Sequence, residues 1–180
     1  MALPLEQIRR LSEEGRHEEA REEFVQLAAL SPDDAIVLYE TACAHDRLGL
    51  EAEAIPYYVA AIEAGLDSCY LRGAYLGLGS SYRAMGLYEE SLATLDDGLR
   101  HFPNAHELRV FQAMALYNLS RFHDAVASLL NVIADTSNDP ETRAYERAIR
   151  FYAKNLDWRA ADTTTRADKT NMQSLKSPPE

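Results

Sequence analysis

The side chains that could ligate a metal ion or act as nucleophiles are few in this sequence. The two cysteines are Cys43 and Cys69, and no histidine base is identified for either, so a reactive thiol is not predicted. Two of the histidines flank Pro103 five residues apart, which is the wrong spacing for one helical face, so no metal site is predicted. The five histidines are His17, His45, His101, His106 and His123.

Motifs that carry catalysis or phosphate binding are absent from the sequence. It contains neither a Gly-x-Ser-x-Gly elbow nor a His-Glu-x-x-His pair. Gly73, Gly77 and Gly79 lie inside a helical pattern and fit close helix packing better than a phosphate-binding loop. Acidic residues are plentiful but occur mostly in solvated runs such as Glu18-Glu19, so no acid–base pair is proposed. We therefore expect a non-enzymatic protein that needs no cofactor and no metal.

The sequence contains four similar segments, and these segments determine where the side chains discussed above lie. Each has a small residue, and the spacings between the small residues are 34, 37 and 34. A large apolar residue follows four positions later each time, and glycine precedes three of the segments where a helix must stop. The small residues are Ala20, Ala54, Ser91 and Ala125, and the large ones are Phe24, Tyr58, Leu95 and Leu129.

The third segment is the most complete. Tyr75-x2-Leu78-Gly79-x2-Tyr82 comes before Ser91, Leu95 and Pro103. This pattern resembles the tetratricopeptide repeat, a helical hairpin of 34 residues. The resemblance covers residues 3–156. It implies an all-α, right-handed α-solenoid of about four helix hairpins plus a C-terminal closing helix, nine main helices in all.

The repeat register predicts the domain organisation. One repeat domain is expected over residues 1–157, followed by a disordered tail over 158–180, which has few apolar residues. The extra residues of the 37-residue spacing are expected to lengthen the third hairpin's first helix, since Gly65 ends one helix and Ser68 can start the next. Asp33 or Asp34, Ser68 and Asn104 are the predicted N-caps. The predicted repeats are 1–34, 35–68, 72–105 and 106–139, with the closing helix at 140–156.

The resemblance also implies a binding surface. In this family the first helix of each hairpin lines a concave groove, through positions 2, 5, 9, 12 and 13 of the repeat. The alternative for Leu76, Val110 and Met114 is packing between neighbouring helices. The candidate groove residues are Tyr39, Cys43, Arg47, Leu76, Ser80, Arg83, Val110, Met114, Tyr117 and Asn118.

Two of these candidates are arginines. Arg47 and Arg83 lie near predicted helix ends, where a cation complements the helix dipole. The alternative is a paired anion site that holds a carboxylate of the partner. The positions of the carboxylate clamp found in co-chaperones of this family hold none of the clamp residues, so a co-chaperone role is not supported. Those positions hold Tyr39, Cys43, Gly77, Glu107 and Phe111.

Composition limits the partners. The 180 residues include 18 basic and 29 acidic side chains, for a net charge of −11. This charge argues against nucleic acid and against an anionic membrane surface. No apolar run reaches the roughly 20 residues of a membrane span, and Met1–Arg10 lacks an apolar leader, so a cytoplasmic location is predicted.

The function predicted from the sequence is non-enzymatic binding of a protein or peptide, as an adaptor or scaffold. A homo-oligomer is left open. One alternative is a cargo-binding chaperone of a bacterial secretion system, since some of these are small acidic tetratricopeptide proteins. The other is an enzyme with an unrecognised site, which a cleft of convergent, strongly shifted titratable groups would support.

Overall fold

The computed structural model describes residues 3–159, and these residues form helices and no β-strand. The predicted all-α repeat class is confirmed. Residues 160–180 of the predicted tail lie outside the described residues. The ten helices within the described range are α1 (Leu5–Glu13), α2 (His17–Leu30), α3 (Ala35–Asp46), α4 (Glu51–Glu63), α5 (Ser68–Ala84), α6 (Tyr88–His101), α7 (His106–Asn118), α8 (Phe122–Thr136), α9 (Pro140–Ala144) and α10 (Glu146–Lys154).

The chain divides into two compact units. The first unit ends at Ala115, inside α7, and the second begins at Leu116. The first unit thus holds α1 to α6 and most of α7, and the second holds the last residues of α7 together with α8 to α10. A single domain over residues 1–157 remains a prediction.

Helices α5 and α6 show how a hairpin of the first unit is built. The Ser91 hydroxyl of α6 donates to the carbonyl of Gly79 in α5 at 2.7 Å. Further along α6, Gly98 lies against Tyr75 of α5, so the two helices run antiparallel. A Cβ atom on Gly79 would lie only 2.7 Å from Cγ of Leu95. Gly79 is therefore small because α6 packs against it, which confirms the packing expected from the repeat pattern.

Successive hairpins contact each other where the large apolar residue of one repeat packs against the first helix of the following hairpin. Phe24 of α2 is buried in one cluster with Ala44 of α3. The ring of Tyr58 in α4 lies so close to Gly77 of α5 that no Cβ atom fits between them. A small residue on the receiving helix thus makes room for a large one on the preceding hairpin.

The helix starts and ends follow some of the sequence signals and not others. Asp34 caps α3, since its carboxylate accepts from the backbone N–H groups of Ile36 and Val37 at 3.0 and 3.1 Å. Helix α5 has 17 residues against 12 in α3, so the extra residues do lengthen a helix. The predictions for Ser68 and Asn104 are wrong. Ser68 is the first residue of α5 itself, and Asn104 lies two residues before α7.

In the second unit α10 packs against α8, and the closing segment differs from its prediction. The expected single helix over 140–156 is broken at Tyr145, whose φ of −102° and ψ of 8° leave the helical range. The Tyr145 N–H donates to the carbonyl of Thr142, three residues back, which tightens and ends α9. The Trp158 ring packs edge-on against Phe151 and beside Tyr152, so the predicted start of the disordered tail at position 158 is wrong.

Candidate functional site

The first helices of the first unit form a row, here called the first-helix row: α1, α3, α5 and residues 106–115 of α7. Polar contacts join each neighbouring pair. Between α1 and α3, Arg9 donates to Glu40 at 2.7 Å, and between α3 and α5 the Ser81 hydroxyl donates to Asp46 at 3.1 Å. Between α5 and α7 the guanidinium of Arg72 pairs with the carboxylate of Glu107. The row therefore presents side chains from four helices that lie next to each other in order.

Tyr39 belongs to the packing between α3 and α5. Its ring lies 6.2 Å from the ring of Tyr58 and 5.5 Å from that of Tyr70, centroid to centroid. A Cβ atom on Gly73 would lie 2.6 Å from the Tyr39 hydroxyl oxygen, so the hydroxyl sits directly over the α5 backbone. Burial raises the pKa of this phenol. Tyr39 is thus a partly buried link between two repeats, with only part of its surface open to a ligand.

Cys43 lies next to a polar cluster centred on Asp46. The Tyr58 hydroxyl donates to Asp46 at 3.1 Å and lies 3.6 Å from the Cys43 sulfur. The Ser81 hydroxyl donates to the other Asp46 oxygen. Burial raises the pKa of the Asp46 carboxyl, although these two hydrogen bonds act in the opposite direction. The carboxylate thus links α3, α4 and α5.

The same burial raises the pKa of the Cys43 thiol. A thiol is nucleophilic only as the thiolate, so this environment disfavours reaction at Cys43. Cys43 lines a cavity between α1 and α3, but Asp46 and Tyr58 do not, so the shifted groups of this cluster do not converge on one open cleft of the kind that the enzyme alternative requires.

Sequence reasoning did not single out Asp46 as a structural residue, although a signal was available. Asp46 is the last residue of α3, where the negative end of the helix dipole disfavours an acid. An acid in that place needs a compensating partner, and Tyr58 and Ser81 supply it.

Four of the predicted groove residues are at least partly open. Leu76 and Ser80 are half-buried on α5, one turn apart. Val110 and Met114 have the same spacing on α7, and Met114 is exposed. None of these four side chains is fully buried between helices, so each retains surface for a ligand.

The two predicted arginines lack the ion pairs that Arg9 and Arg72 of the row make. Arg47 is exposed directly after α3, and Arg83 lies in the last turn of α5. Among the described residues neither makes an ion pair, and the Nε atom of Arg83 is buried without a hydrogen-bond partner. Both positions complement a helix dipole. Both also leave a guanidinium available to an anion.

A cavity of about 180 Å³ opens between α1 and α3. Its wall includes Cys43 and Arg47, which the sequence predicted, and three residues of α1 that it missed. Those three stand at repeat positions 9, 12 and 13 counted with Ala20 as position 20, so the register of the other repeats points to them, although no groove residue is predicted from the first repeat. The lining residues are Arg9, Ser12, Glu13, Phe24, Glu40, Cys43, Ala44 and Arg47.

The last two candidates belong to the second unit. Tyr117 is exposed, and its ring packs edge-on against Phe122 at 5.2 Å. Asn118 is partly buried, with its side-chain oxygen buried and unpartnered among the described residues.

Within residues 3–159, no three His, Cys, Asp or Glu side chains are grouped so that they could hold a metal ion. No helix in that range is both long and apolar enough to cross a membrane.

Comparison with known proteins supports the repeat assignment. The family model for the Tetratrico peptide repeat matches residues 35–156. Among solved structures, the chain is similar to the crystal structure of YrrB, described as a TPR protein with an unusual peptide-binding site. The TM-score is 0.63 at 17% identity, over 83% of this chain and 75% of that chain. No curated protein matches. At this identity the likeness to YrrB shows the fold alone.

Proposed function

Because the chain belongs to the tetratrico peptide repeat family, we propose that it binds a segment of another protein along the first-helix row, as a non-catalytic adaptor. The observation that carries this proposal is the distribution of charge on the row. The whole chain has a net charge of −11, yet the charges left unpaired on the row include two arginines, Arg47 and Arg83.

The acids of the row are largely engaged in structural contacts. Glu40 accepts from Arg9, Glu107 pairs with Arg72, and Asp46 accepts from two hydroxyl groups. Glu13 remains without a partner among the described residues, in the wall of the cavity. A peptide with an acidic group beside apolar side chains matches this surface, because carboxylates form strong hydrogen bonds with guanidinium groups.

Apolar surface lies on the same row of helices as the arginines. Leu76, Val110 and Met114 are partly open on α5 and α7. The cavity between α1 and α3 is smaller than the roughly 300–1,000 Å³ typical of small-molecule sites, and its size suits one peptide side chain. YrrB, which shares the fold, is described as having a peptide-binding site, and the same class of ligand is proposed here.

The test begins with selection of peptides from a phage-displayed random library on the full chain. The best peptide is then titrated by fluorescence anisotropy against the wild type and against Arg47→Gln and Arg83→Gln. Each substitution should weaken binding at least about tenfold and should reduce its salt dependence. Arg100→Gln is the matched control, because Arg100 is an exposed arginine on the second helix α6. It should leave the affinity unchanged.

Two results would count against the proposal. One is failure of the library to yield any peptide with measurable affinity. The other is an Arg100→Gln effect as large as those of Arg47→Gln and Arg83→Gln, because binding would then follow overall charge rather than the row. The secretion-chaperone alternative remains a hypothesis, and secretion genes beside this gene would favour it.

A further inference from the structure

One repeat position differs sharply between the last repeat and the others. The large apolar residue four positions after the small one is nearly fully buried in the first three repeats, with exposures of 2% for Phe24, 3% for Tyr58 and 0% for Leu95. The equivalent Leu129 is 40% exposed. Phe24 and Tyr58 are covered by the first helix of the following hairpin. The fourth repeat therefore presents, uncovered, a position that the chain elsewhere uses to join repeats.

Leu129 is part of a continuous apolar surface on α8. Phe122, Val126 and Ile133 are 52%, 44% and 44% exposed. Their spacing with Leu129, four, three and four residues, places all of them on one helical face. We call these four residues the α8 stripe. Although α10 packs against α8, the stripe stays open, and the exposed ring of Tyr117 extends it through its edge-on contact with Phe122.

The charge around the stripe favours a second copy of the same chain. At a net charge of −11, two copies repel each other unless the surfaces that meet are locally neutral. The two acids of α8 are both neutralised, Asp124 by Arg121 at 2.9 Å and Asp135 by Arg150 at 2.8 Å. By contrast, the first turn of α6 contains two adjacent glutamates, Glu89 and Glu90, that make no ion pair among the described residues.

The area is also in the range of a weak dimer. Together with Tyr117, the stripe exposes on the order of 500 Å² of side-chain surface. Pairing two such surfaces would bury about 1,000 Å², the lower end of specific interfaces. In an isologous dimer the same surface of each copy meets its counterpart, so that surface must be complementary to itself. An uncharged apolar helix face meets this requirement.

We infer that the α8 stripe is a self-association surface, on which a second copy of this chain docks stripe against stripe about a two-fold axis. This inference is independent of the proposed peptide site, since the residues that carry it lie in the second unit.

The test is sedimentation equilibrium of the full chain from about 1 to 500 µM, the range in which an interface of this size is expected to associate. The wild type should show a monomer–dimer equilibrium. Val126→Glu and Leu129→Glu should each raise the dissociation constant at least about tenfold. In either variant, the new carboxylate of one copy would face the same new carboxylate of the other copy across the interface. Circular dichroism should show unchanged helicity, since both side chains are exposed.

Leu30→Glu is the matched control, because Leu30 is an exposed leucine on α2 outside the stripe. It should leave the dissociation constant unchanged. The wild-type melting temperature should rise with protein concentration, and that of Leu129→Glu should not.

Three results would overturn the inference. The first is a wild type that is monomeric at every concentration. The second is a dimer that persists in both stripe variants. The third is a monomer whose melting temperature falls by several degrees in Leu129→Glu, because the stripe would then be covered by residues of its own chain.

Discussion

The third and fourth repeats carry the same residue at the same position and give it different surroundings. Leu95 in the first unit is fully buried against Gly79, whereas Leu129 in the second unit is exposed. The turn before each second helix differs too. Gly86 has a φ of +77°, and its counterpart Ser120 adopts a φ of +60° without being glycine. Repeat position thus specifies which side chain is placed where, and the neighbouring elements determine whether that side chain is covered.

The contrast between Leu95 and Leu129 predicts the largest difference in stability. Leu95→Ala should lower the free energy of unfolding by about 2–5 kcal/mol, since it opens a cavity in a packed core. Leu129→Ala should lower it by less than about 1 kcal/mol at a concentration where the chain is monomeric. Urea denaturation of both variants measures the two values. Equal losses would show that the two positions are buried alike.

The close contact at Gly79 predicts the next largest effect. Gly79→Leu should destabilise the fold by about 1–3 kcal/mol or more, because even the first side-chain atom would collide with Leu95. Glycine normally costs stability inside a helix, so an open site would give the opposite sign. A melting temperature that rises on this substitution would mean that α5 and α6 do not approach each other here.

The turns at Gly86 and Ser120 predict smaller changes in the free energy of unfolding, with opposite signs in the two units. Ser120→Gly should raise the free energy of unfolding by about 0.5–1 kcal/mol, because it relieves a positive φ that serine adopts with strain. Gly86→Ser should lower it by a similar amount, since it introduces that strain. Thermal unfolding of the two variants is compared with the wild type. A stabilising Gly86→Ser would contradict the positive φ at that turn.

Asp46 predicts a pH dependence confined to the first unit. Its carboxyl pKa is raised above the ordinary 3.8 in the folded chain, so its protonated form favours folding. This stabilisation of the fold is complete at pH values below the ordinary pKa, and it is lost as the pH rises through the raised pKa of the folded chain. Relative to the wild type, Asp46→Asn should therefore become more stable from pH 3.5 to pH 7, as measured by urea denaturation. A difference that stays constant or reverses would mean that burial does not raise this pKa.

Much of the fold is determined by local signals in the sequence. The small residues at 34-residue spacing, the Asp34 cap and the long α5 depend on residues close in the chain, so periodicity and capping rules find them. Gly79 was also predictable, because the register placed it opposite a small residue of the partner helix.

Other features depend on neighbours that periodicity does not identify. The partly buried Asp46 needs a tyrosine from α4 and a serine from α5, and the Arg9–Glu40 contact joins residues 31 positions apart. The exposure of Leu129 depends on the element after the repeat rather than on the repeat itself. The break at Tyr145 and the packing of Trp158 arise in the closing segment, which has no repeat register to guide a prediction.

Among the candidate site residues, the register placed Leu76, Ser80 and Arg83 at the correct spacing for one face of their helix. It could not show that Tyr39 would be held over Gly73, because that contact depends on the distance between two repeats. It also could not show which charges are neutralised. Only the structure shows that Glu40, Asp46 and Glu107 contact other groups. Arg47 and Arg83 are therefore left without an acidic partner within residues 3–159.

The most direct test of the account is hydrogen–deuterium exchange on the full chain, with and without a peptide selected on it. Binding along the first-helix row should slow exchange in α3 and α5 and leave the second helices α4 and α6 nearly unchanged. The α8 stripe should respond to protein concentration and not to peptide. Peptide-dependent protection confined to α8, or to α4 and α6, would contradict a binding surface on the first-helix row.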